Sequence, residues 1–249
     1  VIPGFNDSHC HVMEAGAQLN TRNLSSMSTS EIAEYLFSAN KYDENTTPRI
    51  GMGLEDGGFY QMKEEGMEDT PDHLPLILFH QSGHAAIANA PAVQSLGIQN
   101  AARSGLWHVE KGERAESAYV IHEPYECPGI LNLLQRRNRR DDQLSANVET
   151  ALTAYRDAGI TSIQDNTWDP EILRYLAFMA RGISISSWAK GDDPGSAWEM
   201  GSGIDLPSNI TLGPVKFFLD GAFSNKTAWL WDPYVGEGNW CGEGKSSRE

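Results

Sequence analysis

Asp141-Asp-Gln-Leu-Ser-Ala-Asn-Val-Glu-Thr-Ala-Leu-Thr-Ala-Tyr-Arg-Asp-Ala-Gly-Ile-Thr-Ser-Ile-Gln-Asp165 reads as one helix delivered straight into one strand. Leu144, Val148, Ala151, Leu152 and Tyr155 form a single apolar stripe at helical spacing over 141–158. Gly159 stops that helix, because a residue without a Cβ takes the left-handed conformation at no steric cost. Ile160 to Asp165 then reads as a buried strand with a polar end. Outward from here the grammar repeats. Pro170 opens and Gly182 closes a helix over 169–181, Ile183 to Trp188 reads as the next strand, and Pro214 to Gly221 as a third. Strand, helix, strand, helix, strand predicts a parallel α/β sheet.

Toward the N-terminus the signals thin. Residues 29–40 read as a helix capped by Ser30, with Ile32, Tyr35 and Leu36 on one face. Residues 43–75, rich in Gly, Asp, Glu and Pro, read as loops. A strand at Leu76 to Phe79 runs into His80-Gln-Ser-Gly-His84, and a short helix over 91–96 stops at Gly97. Residues 99–130 show little period of either kind. No internal repeat or low-complexity segment is present.

The first eleven residues, Val1-Ile-Pro-Gly-Phe-Asn-Asp-Ser-His-Cys-His11, carry the strongest chemical signal. On a strand, Asp7, His9 and His11 project from one face and Ser8 and Cys10 from the other. Two neutral imidazoles at a strand end can grip one ion of Zn, Fe, Ni or Co. An isolated H-x-H also arises by chance at surfaces and caps. Pro3-Gly4 before the apolar-to-polar switch suits a strand that ends at an open mouth.

Lys216 lies within the apolar run Val215-Lys-Phe-Phe-Leu-Asp220. A lysine there is costly unless it faces outward, pairs with Asp220 or Asp165, or is modified. A buried lysine of depressed pKa can take up carbon dioxide, and the resulting carbamate can bridge two metals. Asp165 with Asn166, and Asp220, close their strands; such positions face the active site of a barrel, or cap a helix or turn. His84 with Asn89 divides between a loop-and-cap role and a site role. His73, His80, His108 and His122 have no metal-like spacing and read as ordinary.

Bulk properties narrow the partners. The 249 residues carry 34 acidic against 19 basic side chains, a formal charge of −15, which disfavours nucleic acid and anionic membrane. Arg136 to Arg140 meets Asp141 and Asp142 at once and reads as a solvated loop. No apolar run is long enough to span a bilayer. Cys10, Cys127 and Cys241 are odd in number and far apart, which supports neither a disulfide framework nor a Zn–Cys site and points to a reducing, cytoplasmic setting. The chain opens inside a strand without Met, as a piece of a longer protein does.

Taken in order, Pro3-Gly-Phe-Asn-Asp-Ser-His-Cys-His11, Gly83-His-Ala-Ala-Ile-Ala-Asn89, Gly159-Ile-Thr-Ser-Ile-Gln-Asp165 and Val215-Lys-Phe-Phe-Leu-Asp-Gly221, extended by Thr227-Ala228 and Pro233-Tyr234, resemble the metal-dependent amidohydrolase superfamily. The likeness is to its family-3, YtcJ-like branch, which includes N-substituted formamide deformylases. The resemblance implies a partial (β/α)8 barrel holding about strands 1–4, with the β-sandwich and second barrel half outside this chain. It implies strand 1 at 1–11, a long insertion or cap region at 12–140, and barrel units at 141–249 through strand 4. His9, His11 and a carboxylated Lys216 would be metal ligands; Asp7, His84, Asn89, Asp165 and Asp220 would stand on the substrate side or behind the ligands. The implied reaction is hydrolysis of a C–N bond in an amide, formamide or cyclic amide by water that one or two divalent ions, most simply Zn, activate to hydroxide. The remaining ligands and the general base are expected beyond Glu249, so the chain alone is expected to be inactive and to self-associate. The alternatives are a non-catalytic fragment of such a protein, and an unrelated α/β domain in which His9, His11 and Lys216 lie far apart.

Overall fold

The structure, a computed structural model, describes residues 2–38, 48–65, 67, 74–98, 108–111, 118–135, 142–166, 170–190, 206–223 and 226–244. In chain order its elements are β1 (Phe5–Cys10), α1 (Val12–Asn20), β2 (Arg22–Asn23), α2 (Thr29–Ser38), β3 (Arg49–Leu54), α3 (Asp56–Glu65), β4 (Leu76–His80), β5 (Ala85–Asn89), α4 (Ala90–Ser95), β6 (His108–Lys111), β7 (Ala118–His122), α5 (Pro128–Gln135), α6 (Asp142–Asp157), β8 (Ile160–Asp165), α7 (Pro170–Met179), β9 (Ser184–Lys190) and β10 (Ile210–Lys216). They form two compact units, Val1–Asn20 with Gln135–Phe218, and Thr21–Leu134 with Leu219–Glu249. These divisions fall at residues 20, 134 and 218, whereas the sequence reading places them at 11 and 140.

The first unit holds a four-stranded sheet in the order β1-β8-β9-β10, every pair parallel. The predicted helix and strand at 141–165 are present with the predicted stripe: Leu144, Val148, Ala151 and Leu152 are buried along α6. Gly159 and Gly182 take the left-handed φ expected of them, +77° and +79°. α1 buries Val12, Met13, Gly16 and Ala17 and packs on α6 so closely that a Cβ on Gly16 would stand 1.8 Å from the Asn147 carbonyl oxygen. β10 corrects one expectation. It ends at Lys216, so Asp220 does not close a strand. Pro214 lies inside β10, at a register shift between Leu212 and Val215, where an edge strand tolerates a missing N–H.

The second unit is built on a six-stranded mixed sheet, β2-β3-β4-β5-β7-β6, parallel across its first three strands and antiparallel thereafter. Leu24, Ile32, Leu54, Phe59, Leu76, Leu78, Ile87 and Val120 form its core. Two expectations fail here. The loop reading of 43–75 misses β3 and α3, and the irregular reading of 99–130 misses β6, β7 and the start of α5. β3 is Arg-Ile-Gly-Met-Gly-Leu, whose glycines erase the apolar rhythm although the strand is almost wholly buried. α2 also starts differently: the Ser28 hydroxyl accepts the Glu31 N–H at 3.3 Å, and the Glu31 carboxylate accepts the Ser28 N–H at 2.7 Å. That reciprocal box makes Ser28, not Ser30, the cap. Among the described residues no helix is long and apolar enough to cross a membrane.

Candidate metal centre

Parallel strands with all carboxyl ends on one side put the last residues of each strand around one mouth. In the first unit those residues are His9 and Cys10 of β1, Asp165 of β8, Lys190 of β9 and Lys216 of β10. The N-terminal alternation holds where it matters. The His9 and His11 ring centroids are 5.4 Å apart, while Cys10 turns inward, is buried, and donates to the Gln164 carbonyl at 3.5 Å. The Tyr155 hydroxyl also bonds the Cys10 sulfur, and burial pushes that thiol far above its ordinary value, so it stays a neutral core group. Asp7 accepts the His9 N–H at 3.1 Å, and the register slips between Asp7 and Cys10.

Neighbouring strands converge on this pair. The Trp188 indole of β9 meets the His9 ring edge-on at 4.9 Å between centroids. Burial first, then the positive charge of Lys216, holds the His9 imidazole below its ordinary pKa, with Asp7 pulling the other way. Lys216 itself lies over the Phe218 ring, its Nζ 4.7 Å from the centroid. On the other side, the Asn166 backbone N–H donates to the Cys10 carbonyl at 2.9 Å, and the Asn166 Nδ2 lies 3.3 Å from His11 Nε2. Asn166 is 3% exposed. Its Oδ1 is buried with no hydrogen-bond partner among the described residues, and so is the Trp188 Nε1. In the sequence Asn166 reads as a strand end and Trp188 as the last residue of a strand; the position one past a barrel-type strand is the available signal for the first.

The remaining sequence candidates have structural work. Asp165 is completely buried, and its Oδ1 accepts the Val12 N–H at 2.8 Å, capping α1 immediately after His11. Burial pushes its carboxyl up to about 8, against the pull of that N–H. His84, Asn89 and Asp220 belong to the second unit. His84 sits in the β4–β5 turn, its Nδ1 3.0 Å from the Glu123 carboxylate. Asn89 caps α4 through the Ala92 N–H, accepts the Leu76 N–H and donates to the Leu74 carbonyl. Asp220 accepts the Trp229 N–H at 2.9 Å and bridges to Gly244. His73 lies outside the described residues.

Among the described residues no three His, Cys, Asp or Glu side chains gather closely enough to hold a cation. The His9 and His11 imidazoles nonetheless lie side by side at the carboxyl end of the sheet with the Asn166 carboxamide against His11, and imidazole nitrogen and carboxamide oxygen are both donor types that suit a divalent cation.

Two solved structures have this fold. One is described as an uncharacterized metal-dependent hydrolase from Pyrococcus horikoshii OT3: TM-score 0.65, 19% identity, 99% of this chain and 48% of that one covered. The other, likewise described, comes from Pyrococcus furiosus: TM-score 0.61, 18% identity, 98% of this chain and 50% of that one. The chain therefore spans about half the length of these relatives. Comparison with curated proteins gives no match. The amidohydrolase family profile matches residues 1–248, which removes the reading of an unrelated domain with chance motifs. From residue 1 to residue 248, strand ends, imidazole pair and lysine included, this chain belongs to the amidohydrolase family.

Proposed function

We propose that the chain carries the metal-binding strands of a hydrolase that cleaves C–N bonds in amides, formamides or cyclic amides. His9, His11 and Lys216 hold the cation, and the four-stranded sheet forms the first half of a (β/α)8 barrel. The observation that carries the reading is placement: β1, which leads into His9 and His11, and β10, which ends at Lys216, run parallel in one sheet, so residues more than two hundred positions apart stand at its same carboxyl end. The sheet's sequential strand order, the family match and the double length of the similar hydrolases support the barrel half.

A bound divalent ion, with Zn the best match to imidazole and carboxylate-type donors, would polarise the substrate carbonyl and bring the pKa of a water down toward about 7. The chain's own residues prepare that site. Partial desolvation favours the neutral, ligating form of His9, and Trp188 packs against its ring. Asp165 fixes the start of α1 and with it the backbone after His11. Lys216 completes the set as a carbamate. Its neutral Nζ attacks carbon dioxide, an N–C bond forms, one C=O electron pair moves to oxygen, and the nitrogen loses a proton to solvent. Proton return to the leaving amine is assigned to no residue of this chain, and the 249-residue product alone is proposed to lack steady amidase turnover.

Metal analysis tests this. The purified chain, reconstituted with Zn2+ and bicarbonate, is expected to retain the ion through desalting, and His9→Asn with His11→Asn is expected to lose it. A carbamate carbon signal from 13C-bicarbonate is expected in the wild type and absent from Lys216→Ala. Equal metal retention by the double histidine variant would end the reading.

A further inference from the structure

We propose that Asn166 is itself a ligand of the cation, through its carboxamide oxygen; the inference rests on the metal centre proposed above. A carboxamide whose buried oxygen has no hydrogen bond has nothing at that end to fix which way round it sits. Asn166 has that oxygen, at the end of the carboxamide that does not meet His11, on a residue held against the end of β1. Its backbone is tied to Cys10 of β1, and its Nδ2 stands 3.3 Å from His11 Nε2. Without a cation, that amide nitrogen donates to the imidazole's Nε2 lone pair. A cation takes the same lone pair and leaves the amide N–H facing a positive charge. A half-turn about Cβ–Cγ then exchanges nitrogen for oxygen at the same place, and it breaks no hydrogen bond at the other end, where the oxygen has none among the described residues. Two donors, each about 2.1 Å from one cation, stand about 3.0–3.4 Å apart between octahedral and tetrahedral geometry. The observed 3.3 Å, that of a hydrogen bond now, also falls within the spacing of two ligands in one shell. The carboxamide thus serves as a placeholder on His11 before loading and as a neutral oxygen ligand after it.

The experiment is Co2+ binding by the full 249-residue chain, followed by calorimetry and by the visible d–d bands. Asn166→Leu, close in size but without a donor oxygen, is expected to bind Co2+ at least tenfold more weakly, since even groups behind a ligand are worth about 10–100-fold. Its d–d bands are expected to shift. Asn166→Asp, which puts a charged oxygen at the same place, is expected to bind more tightly by about tenfold. Circular dichroism of each metal-free variant checks folding; if the leucine variant does not fold, the aspartate variant decides. Wild-type affinity and unaltered bands in either folded variant overturn the ligand while leaving His9 and His11 in place. No saturable Co2+ binding by the wild type overturns the metal centre and this ligand with it.

Discussion

Asp165 is one residue from the amide that faces His11, yet its Oδ1 is committed to the Val12 N–H, and burial pushes its carboxyl up to about 8. Near neutral pH the group is thus largely protonated, and its acceptor oxygen, rather than its charge, holds α1. Asp165→Asn keeps an acceptor of the same shape and is expected to cost under about 1 kcal/mol. Asp165→Ala leaves the Val12 N–H unpaired and is expected to cost about 1–2 kcal/mol, read as the difference between two thermal or urea unfolding curves. Equal loss in both variants would show that the carboxylate charge mattered. The same pair of residues shows what a sequence can disclose about a site. His9, Cys10 and His11 are legible because alternation on a strand is geometry: odd side chains go one way and even ones the other. Asp165 and Asn89 are not legible, because an aspartate or asparagine at an element boundary has one appearance whether it caps a helix or touches a substrate. Only the hydrogen bonds from Val12, and from Leu76 and Ala92, tell the roles apart.

Among the elements, those that read well are those whose burial is one-sided. α6 declares itself by its stripe, and α6 and α7 both end at a glycine of positive φ. β3 is buried on both faces and interrupted by glycines, so nothing in it alternates. β10 slips register around Pro214 and ends at Lys216, which leaves Asp220 outside the strand. Two substitutions test element-level packing. Ser28→Ala breaks the reciprocal box that starts α2 and is expected to cost about 1 kcal/mol, measured by denaturant unfolding, with Ser30→Ala near neutral. Gly16→Ala places a methyl group against the Asn147 backbone, where no side chain can yield. The helices must separate, at an expected cost of about 1–3 kcal/mol. Because α1 follows His11 directly, the same variant is expected to weaken Co2+ binding as well; an unchanged melting curve would show that α1 and α6 can part freely.

At the scale of the whole chain, charge and apolar exposure oppose each other. The formal charge is −15, while the two outer strands of the parallel sheet, β1 and β10, carry exposed Phe5, Leu212 and Val215, with Phe217 just beyond. Open edges of this kind invite pairing, and like charge resists it. Association of the 249-residue chain is therefore expected to rise with salt, as screening shortens from about 30 Å at 0.01 M to about 10 Å at 0.1 M. Leu212→Lys with Val215→Lys is expected to reduce it in sedimentation runs at matched concentration; a mass independent of salt and of these lysines would remove the edges as its cause. The pairing of β1 with β8 has a further consequence, one of timing. His11 and Asn166 are 155 positions apart, and the whole of β2 to β7 is translated between them. At about 5–20 residues per second, a ribosome needs roughly 10–30 s to cover that interval. For that time the nascent imidazoles have emerged with no partner strand, and under the proposed metal centre, loading would wait until the last strand of the sheet had left the exit tunnel.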